Sequence, residues 1–86
     1  MNVKLSFIIV TWNSEEHIKN LLNKLPQDSH YETIVVDNAS KDNTVKIIEE
    51  SFPNVKIMRN NKNEGLSKAT NQAFAISCGE FLLLLN

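Results

Sequence analysis

The spacing of apolar residues alternates along the chain between two patterns, one typical of buried strands and one typical of amphipathic helices. Short apolar runs rich in β-branched residues predict strands at 5–11, 31–37 and 55–59, and the apolar run at 80–85 predicts a fourth. Between these runs, apolar residues recur at helical spacing, which predicts three helices. The predicted helical stripes are Ile18, Leu21, Leu22 and Leu25, then Val45, Ile48 and Phe52, then Leu66, Ala69, Ala73 and Ile76.

Capping and helix-breaking residues set the expected ends of these helices. The candidate N-caps are Asn13 or Ser14 for the first helix and Ser40 or Asp42 for the second. The residues expected to end the three helices are Pro26, Pro53 and Gly79. The resulting order, β-α-β-α-β-α-β with short connections, predicts an α/β fold in which a mostly parallel sheet is flanked by helices.

Composition is that of an ordinary soluble domain, with 86 residues, 42% hydrophobic and 22% charged. The net charge of −1 provides no basic surface, so we expect no nucleic-acid partner. The single cysteine cannot form an internal disulfide, and no Cys/His pairs have zinc-ligand spacing. No apolar run is long enough for a signal core or a membrane span, and we expect a cytoplasmic protein, with the cytoplasmic face of a membrane as one place of action.

Polar residues collect where the predicted strands end. In a parallel sheet all carboxyl ends lie on one edge, and ligands of open α/β folds bind outside that edge. Thr11, Trp12 and Asn13 follow the first strand, Asp37 ends the second, and a polar loop at 60–65 follows the third. An acid that ends a run such as "TIVVD" commonly accepts hydrogen bonds from a nucleoside, but it can also cap its own loop. Both interpretations of Asp37 stay open at this point.

Two common kinds of nucleotide site are disfavoured. The chain has neither a G-x-G-x-x-G motif after the first strand nor a G-x-x-x-x-G-K-[ST] motif, and its only glycines are Gly65 and Gly79. A glycine-rich first loop therefore does not hold a pyrophosphate. This argues against a dinucleotide-dependent dehydrogenase and against a P-loop NTPase.

Three long segments carry a resemblance to a known family: "LSFIIVTWNSEEHIKNLLNKL", "ETIVVDNASKDNT" and "NEGLSKATNQAFAISCGEFLLLLN". They are similar to the N-terminal half of family 2 glycosyltransferases, which have the GT-A fold. This half of the GT-A fold is Rossmann-like and binds the nucleotide. The resemblance covers essentially the whole chain. It implies a glycosyltransferase that binds a nucleotide-diphospho-sugar donor and transfers the sugar to an acceptor, in the synthesis of a polysaccharide or a cell-surface glycan.

The resemblance also implies roles for individual residues. The residues implied to line the nucleotide base are Thr11, Trp12 and Asn13, with Glu15 nearby. The residue implied to contact the base is Asp37, with Ser40 close to it. The residues implied to approach the ribose and the phosphates are Asn63, Gly65, Lys68, Ala69 and Asn71. Trp12 and Lys68 also have competing interpretations. A tryptophan after a buried strand can fill the core, and a helical lysine can simply be solvated.

In this family a D-x-D-like motif at the end of the fourth strand holds a divalent metal ion, manganese or magnesium, on the diphosphate. Asn86 is the first position of that motif, and the expected aspartate and catalytic base are not in the chain. We therefore expect residues 1–86 to be a truncated nucleotide-sugar-binding part that contains no catalytic residue and binds no metal. We also expect it to self-associate, because its fourth strand leaves apolar surface uncovered. The full enzyme would use a glycan or lipid-linked acceptor.

A second interpretation comes from a different class of protein. The same pattern fits a non-catalytic, flavodoxin-like module that binds a nucleotide or a partner protein. A third interpretation is a proteolytic core that forms an assembly. An acid encoded shortly after Asn86 would favour the enzyme, and a stop codon there would favour the module.

Overall fold

The structure, a computed structural model, describes residues 3–85 and consists of alternating strands and helices. The strands are β1 (Leu5–Thr11), β2 (Tyr31–Asp37), β3 (Lys56–Arg59) and β4 (Phe81–Leu85). The helices are α1 (Glu15–Asn23), α2 (Thr44–Ser51) and α3 (Leu66–Ile76). The predicted order of elements is confirmed. Asn86, the expected first position of the metal-binding motif, lies outside the described residues.

The strands form one sheet in the order β3-β2-β1-β4, and every neighbouring pair is parallel. β1 pairs with β2 along its whole length, from Leu5 opposite Tyr31 to Thr11 opposite Asp37. All strands consequently end on one side of the sheet, which we call the carboxyl edge, and begin on the other, the amino edge. The predicted parallel α/β fold is confirmed, and it places Thr11 beside Asp37 at the carboxyl edge.

Helices pack on both faces of the sheet, because alternate strand residues point to opposite sides. The face covered by α1 and α2 has a core of Ile9, Ile18, Leu22, Val35, Ile48 and Phe52. The face covered by α3 has a core of Ile8, Ile34, Val36, Ala69 and Ala73. The small alanine side chains let α3 lie close to the sheet, so the start of this helix is held near the carboxyl edge. No helix within residues 3–85 is long and apolar enough to cross a membrane.

The N-terminus of α1 is capped by a residue from another loop. Ser14 is the N-cap residue, as predicted, but its side chain makes no capping hydrogen bond. Asp42 instead accepts a hydrogen bond from the N–H of Glu15 at 3.1 Å and another from the N–H of Thr44 at 3.0 Å. One carboxylate therefore fastens the first turns of α1 and α2 together.

The N-cap predicted for α2 is wrong, because Asn43 occupies that position rather than Ser40 or Asp42. The Ser40 hydroxyl does not cap the helix, since it donates to Asp37 and accepts from the N–H of Asn13. The ends of α1 and α2 agree with the prediction, as both helices stop before Pro26 and Pro53 respectively.

The predicted C-cap of α3 is also wrong. The helix ends at Ile76, and Ser77 is the C-cap with φ −72° and ψ 146°, an extended conformation. Gly79 is needed for another reason, because a Cβ there would lie 2.5 Å from Ser6 Oγ and 2.7 Å from Ser6 N. The chain requires a residue without a side chain where it enters β4 alongside β1.

Strand β4 lies at one side of the sheet and is the least buried strand. Phe81 is 62% exposed and Leu84 is 41% exposed, although the sequence has the pattern of a strand covered on both faces. Helix α3 packs mainly over β1 and β2 rather than over β4. The expectation that this run leaves apolar surface uncovered is confirmed for the described residues.

Candidate functional site

The carboxyl edge carries a buried carboxylate that is held by two hydroxyl groups. Asp37 is 2% exposed. Thr11 Oγ1 and Ser40 Oγ each donate a hydrogen bond to Asp37 Oδ1 at 2.6 Å, and the Ser40 N–H donates to Oδ2 at 2.9 Å. An ionised carboxylate can accept about four hydrogen bonds. The three donors found among the described residues leave one acceptor position on Oδ2 for a donor from a ligand.

Asn13 links the loop after β1 to the loop after β2. Its backbone has φ 49°, a left-handed conformation that asparagine adopts more readily than most residues. Its N–H donates to Ser40 Oγ at 2.8 Å, and its Oδ1 accepts a hydrogen bond from the N–H of Lys41 at 2.8 Å. Ser40 Oγ thus contacts both Asn13 and Asp37. The two loops form one continuous surface in front of the carboxylate.

Trp12 and Glu15 lie at the border of this surface. Trp12 is 57% exposed, so the interpretation of this residue as part of the core is wrong. Glu15 begins α1, and its N–H is the one bonded to Asp42. Desolvation raises the pKa of Asp42, but hydrogen bonds from the Thr44 hydroxyl, the Thr44 N–H and the Glu15 N–H outweigh it and hold this pKa below its usual value. The Asp42 carboxylate that caps α1 is therefore ionised at neutral pH.

Side-chain amides from three elements form a second group at the carboxyl edge. Asn38, which is 3% exposed, donates from Nδ2 to the Gly65 carbonyl at 3.2 Å. Its Oδ1 accepts hydrogen bonds from Asn60 Nδ2 at 2.9 Å and from the N–H of Glu64 at 3.3 Å. Asn60 and Gln72 exchange two further bonds, of 2.9 and 3.0 Å. This amide cluster joins the ends of β2 and β3 to α3.

The turn into α3 presents backbone groups to solvent. Gly65 is the N-cap residue, with φ 84° and ψ 170°, a conformation for which glycine is suited. Its N–H donates to Asn63 Oδ1 at 2.9 Å. A Cβ at Gly65 would meet no atom within 4 Å, so the space in front of this turn is open. The first N–H groups of a helix have no partner inside it and attract anions, which makes the start of α3 suitable for a phosphate.

Lys68 and Asn71 lie on the exposed side of α3. Lys68 Nζ is 2.5 Å from Glu64 Oε2, and Lys62 Nζ is 3.9 Å from Glu64 Oε1. The hydrogen bond from Lys68 lowers the pKa of Glu64. Lys68 is therefore ion-paired rather than merely solvated, and an anionic ligand would compete with Glu64 for its ammonium group.

The structure brings part of the predicted site together. The residues joined in one hydrogen-bonded group are Thr11, Asn13, Asp37 and Ser40. A second group contains Asn63 and Gly65, and Asn38 connects it to the end of β2. The predicted residues that belong to neither group in the described structure are Trp12, Glu15, Lys68 and Asn71.

Sequence reasoning missed the roles of Asn38, Asn60 and Gln72. The first two follow predicted strands, and that position was the only signal they offered. Gln72 offered none, because a glutamine in an amphipathic helix ordinarily faces solvent.

The described residues do not fit a metal-binding site. Residues 3–85 contain no group of three or more His, Cys, Asp or Glu side chains placed to hold an ion. Asp42, in the loop after β2, is occupied by hydrogen bonds from the Glu15 N–H, the Thr44 N–H and the Thr44 hydroxyl.

The parallel topology, the acid at the end of β2 and the polar loops at one edge define a Rossmann-like α/β domain of the GT-A type. The family model for glycosyl transferase family 2 matches residues 6–86, and the chain belongs to this family. The resemblance seen in the sequence is thereby confirmed. Members of the family generally use a divalent metal ion.

The relatives include enzymes with different names and substrates. The chain is 35% identical over 91 residues to the poly(ribitol-phosphate) beta-N-acetylglucosaminyltransferase TarS of Staphylococcus aureus, covering 98% of this chain and 16% of TarS. It is 32% identical over 90 residues to a dolichol-phosphate mannosyltransferase of Pyrococcus furiosus, covering 98% of this chain and 25% of that protein. The chain spans a quarter or less of the length of these two relatives.

Solved structures of relatives share the fold. The crystal structure of S. aureus TarS in complex with UDP-GlcNAc matches with a TM-score of 0.86 at 35% identity, covering 96% of this chain and 26% of that one. A mannosyltransferase from Pyrobaculum calidifontis in complex with GDP-Man and Mn²⁺ matches with a TM-score of 0.71 at 25% identity, covering 95% of this chain and 26% of that one. One fold thus occurs with a UDP-sugar in the first protein and a GDP-sugar in the second.

Proposed function

We propose that this chain binds the nucleotide part of a nucleotide-diphospho-sugar donor, and that it does so for a glycosyltransferase that passes the sugar to an acceptor. The observation that carries the proposal is the carboxylate of Asp37, held at the carboxyl edge by Thr11 and Ser40 with one acceptor position open. Membership of glycosyl transferase family 2 supports the same conclusion.

The pose follows from the polarity of the site. Asp37 Oδ2 accepts a hydrogen bond from an N–H of the base or from a ribose hydroxyl, and a charge-assisted bond in a buried position is among the stronger kinds. The exposed ring of Trp12 stacks on the base, and Asn13 and Glu15 line it. The ribose and the diphosphate extend toward the start of α3, where the proposed contacts are Asn63, Gly65, Lys68 and Asn71.

The described residues contribute recognition of the donor rather than transfer. They form no metal cluster, so we assign to them no step that needs an ion. We propose that residues 1–86 are the N-terminal donor-binding part of a longer glycosyltransferase domain, that Asn86 is the first position of its D-x-D-like motif, and that the acceptor's base lies elsewhere in that protein. The short coverage of the relatives supports this division.

The acceptor and the compartment belong to the same proposal. Relatives named for poly(ribitol-phosphate) and for dolichol phosphate support a glycan or lipid-linked acceptor. Cys78, an exposed free cysteine, suits a reducing compartment. We therefore propose that the whole protein works in the cytoplasm, at the cytoplasmic face of a membrane where such acceptors are presented.

A titration followed by NMR tests the donor site. Adding UDP or GDP to the ¹⁵N-labelled chain should shift the amide signals of Asn13, Ser40 and Gly65, while inorganic pyrophosphate should shift Gly65 alone. Amides of the amino edge, such as that of Cys78, serve as the internal control. If neither nucleotide moves these signals, the donor-site assignment is wrong and the non-catalytic, protein-binding module becomes the better interpretation.

We also propose that β4 is an interaction surface through which the isolated chain self-associates. Leu82, Leu83 and Leu84 are 41–45% exposed, and the outer edge of β4 has no partner strand in the described sheet. Sedimentation velocity at micromolar concentration should show oligomers for the wild type and a monomer for Leu83→Lys. Leu66→Lys, which adds the same charge at an exposed leucine of α3, should remain oligomeric. A wild-type monomer that binds no apolar dye would contradict the proposal.

A further inference from the structure

The amide cluster of Asn38, Asn60 and Gln72 has no role in the donor contacts proposed above, yet it connects them. Each residue belongs to a different element: Asn38 follows β2, Asn60 follows β3, and Gln72 lies in the middle of α3. The cluster is partly to fully buried, and buried amides are ordinarily kept only where their hydrogen bonds are satisfied.

The bonds of the cluster determine the orientation of each amide in turn. Gln72 donates to Asn60 Oδ1 and accepts from Asn60 Nδ2, so the two side-chain amides hold each other in place. The same Nδ2 donates to Asn38 Oδ1, which turns the Nδ2 of Asn38 toward the backbone of the next loop. A helix residue therefore supports, through Asn60, the side chain at the end of β2 that is oriented by the backbone of Glu64 and Gly65.

The last member of this chain of bonds fixes the turn into α3. Asn38 donates to the Gly65 carbonyl and accepts from the Glu64 N–H, so it holds the peptide groups on both sides of the bend. The N–H of Asn60 donates to the Asp37 carbonyl at 2.9 Å, which fastens the start of the same loop to the strand that ends in the site carboxylate. The two halves of the proposed donor site are thus joined by these amides.

We propose that Asn38, Asn60 and Gln72 are positioning residues that set the distance and angle between the Asp37 carboxylate and the anion-binding turn at Gly65. This inference rests on the proposed function, since it concerns how a nucleoside diphosphate reaches both halves at once. A ligand that contacts only one half does not need the cluster. A ligand that spans both halves gains affinity only while the separation is held.

Gln72→Met is the most direct variant for a test. It keeps the length and the helix propensity of the side chain, changes no proposed ligand contact, and removes both bonds to Asn60. Gln27→Met is the matched control, because Gln27 Nε2 also makes two hydrogen bonds, to the carbonyls of Leu22 and Leu25, in the connection between α1 and β2. Both variants lose two side-chain bonds, but only one loses them at the carboxyl edge.

The readout is the ratio of the affinities for UDP and uridine, measured by calorimetry or NMR titration. For Gln72→Met we expect uridine to bind as it does to the wild type and UDP to bind about tenfold more weakly, the effect of one lost charge-assisted contact. For Gln27→Met we expect the ratio to stay at the wild-type value. A merely structural role of Gln72 would weaken both ligands by the same factor, and that result, or no change in either, would overturn the proposal.

Hydrogen exchange supplies a readout that does not need a ligand. The amides of Glu64 and Gly65 should exchange faster in Gln72→Met than in the wild type and in Gln27→Met, while the core amides of β1 keep their protection. Equal exchange in all three proteins would also overturn the proposal. If the wild type binds neither UDP nor GDP, the proposed function itself fails, and the exchange rates then decide separately whether the cluster holds the turn.

Discussion

Strand β2 carries a buried carboxylate near each of its ends, and the two have different surroundings. Glu32, near the amino edge, is 9% exposed and accepts hydrogen bonds from Ser6 Oγ at 2.6 Å, the Cys78 N–H at 2.7 Å and Lys56 Nζ at 2.7 Å. Asp37, at the carboxyl edge, is 2% exposed and is held only by uncharged donors among the described residues. The two acids are similar in burial and in their number of hydrogen-bond donors. They differ in that Glu32 has a cationic partner, Lys56, and Asp37 has none among the described residues.

The difference indicates what each carboxylate is for. Glu32 is neutralised by Lys56 and joins three parts of the chain: the start of β1 through Ser6, the start of β3 through Lys56, and the connection from α3 to β4 through Cys78. A carboxylate with its charge already compensated has little to gain from a ligand. Asp37 has no cationic partner among the described residues, and under the proposed function the remaining acceptor position on Oδ2 receives a hydrogen bond from the ligand.

The largest expected effect is the loss of stability on replacing Glu32. Glu32→Ala should lower the free energy of unfolding by about 3 kcal/mol, because Ser6 and Cys78 lose their acceptor in a buried position and the connection into β4 is released. The contribution of Lys56 is smaller than that of a fully buried partner, as its side chain is 50% exposed. Urea unfolding measures the change.

Glu50→Ala is the control for this substitution. Glu50 is paired with Lys46 at 4.0 Å on the surface of α2, with side-chain exposures of 65% and 71%, so its removal should leave the unfolding curve almost unchanged. Equal effects of Glu32→Ala and Glu50→Ala would show that the amino-edge carboxylate does not fasten the fold.

Replacing the other carboxylate should instead weaken ligand binding. Asp37→Ala should reduce the affinity for UDP or GDP by about 1–3 kcal/mol, since the acceptor for the base or ribose is removed. Calorimetry at a temperature where all three proteins are folded measures the loss. Under the same conditions Glu32→Ala should bind like the wild type. Unchanged affinity in Asp37→Ala would mean that the base is recognised by other groups.

The pH dependence of stability offers a third way to separate the two acids. Burial raises the pKa of Glu32, but the hydrogen bonds from Lys56, Ser6 and the Cys78 N–H, with the nearby Lys56 charge, outweigh it and lower the pKa below the ordinary 4.5. A carboxyl with a lowered folded-state pKa contributes stability that is present above its unfolded value and is lost as the pH falls through the folded value. Stability should therefore decline as the pH falls below 4.5.

Glu32→Gln should make this loss of stability at low pH, the acid limb of the pH–stability curve, less steep, because the glutamine does not titrate. The hydrogen bond that Lys56 donates to Glu32 also raises the pKa of Lys56 above 10.5, so the contribution of the lysine is present below that value and is lost as the pH rises through the raised pKa. Urea unfolding at a series of pH values measures both limbs. An acid limb equally steep in the wild type and in Glu32→Gln would assign it to other carboxylates.

The fold could be predicted from the sequence because it is encoded in local spacing. The run "TIVVD" and the stripe of Ile18 and Leu22 each report the element in which they lie, and the end of a strand reports the carboxyl edge. Asp37 was found for this reason. What could not be predicted depends on contacts between distant residues. Gly79 lies against Ser6, 73 positions away, and a Cβ there would lie 2.5 Å from Ser6 Oγ, so this close approach rather than helix capping explains the glycine.

The same limit applies to the polar clusters. A glutamate in a strand gave no sign that it would be buried, because its partners come from β1, β3 and the connection to β4. Asn38 offered a position but no role, since its partners lie 22 or more residues away in the sequence. Spacing identifies the edge of the sheet, but it does not identify which side chains meet there.

Two lysines extend the comparison and give the smallest expected effect. Lys56 is bound to Glu32 at the amino edge, and Lys68 is bound to Glu64 beside the proposed phosphate position, at 2.7 and 2.5 Å respectively. The Lys68 side chain is 65% exposed, although that of Glu64 is only 14% exposed, and an ion pair with a solvated lysine contributes little to stability. Lys68→Met should therefore leave the unfolding curve almost unchanged.

Lys68→Met should nevertheless weaken UDP binding, by about two- to threefold at low ionic strength and less as salt is added, because a solvated charge near the diphosphate is screened. Titration of UDP at two salt concentrations measures this effect. Lys46→Met removes a lysine with the same type of i,i+4 partner, on a helix that covers the other face of the sheet, and should not change UDP binding. If both variants bind UDP like the wild type, Lys68 does not face the diphosphate, and the backbone N–H groups at the start of α3 are the better candidates for holding it.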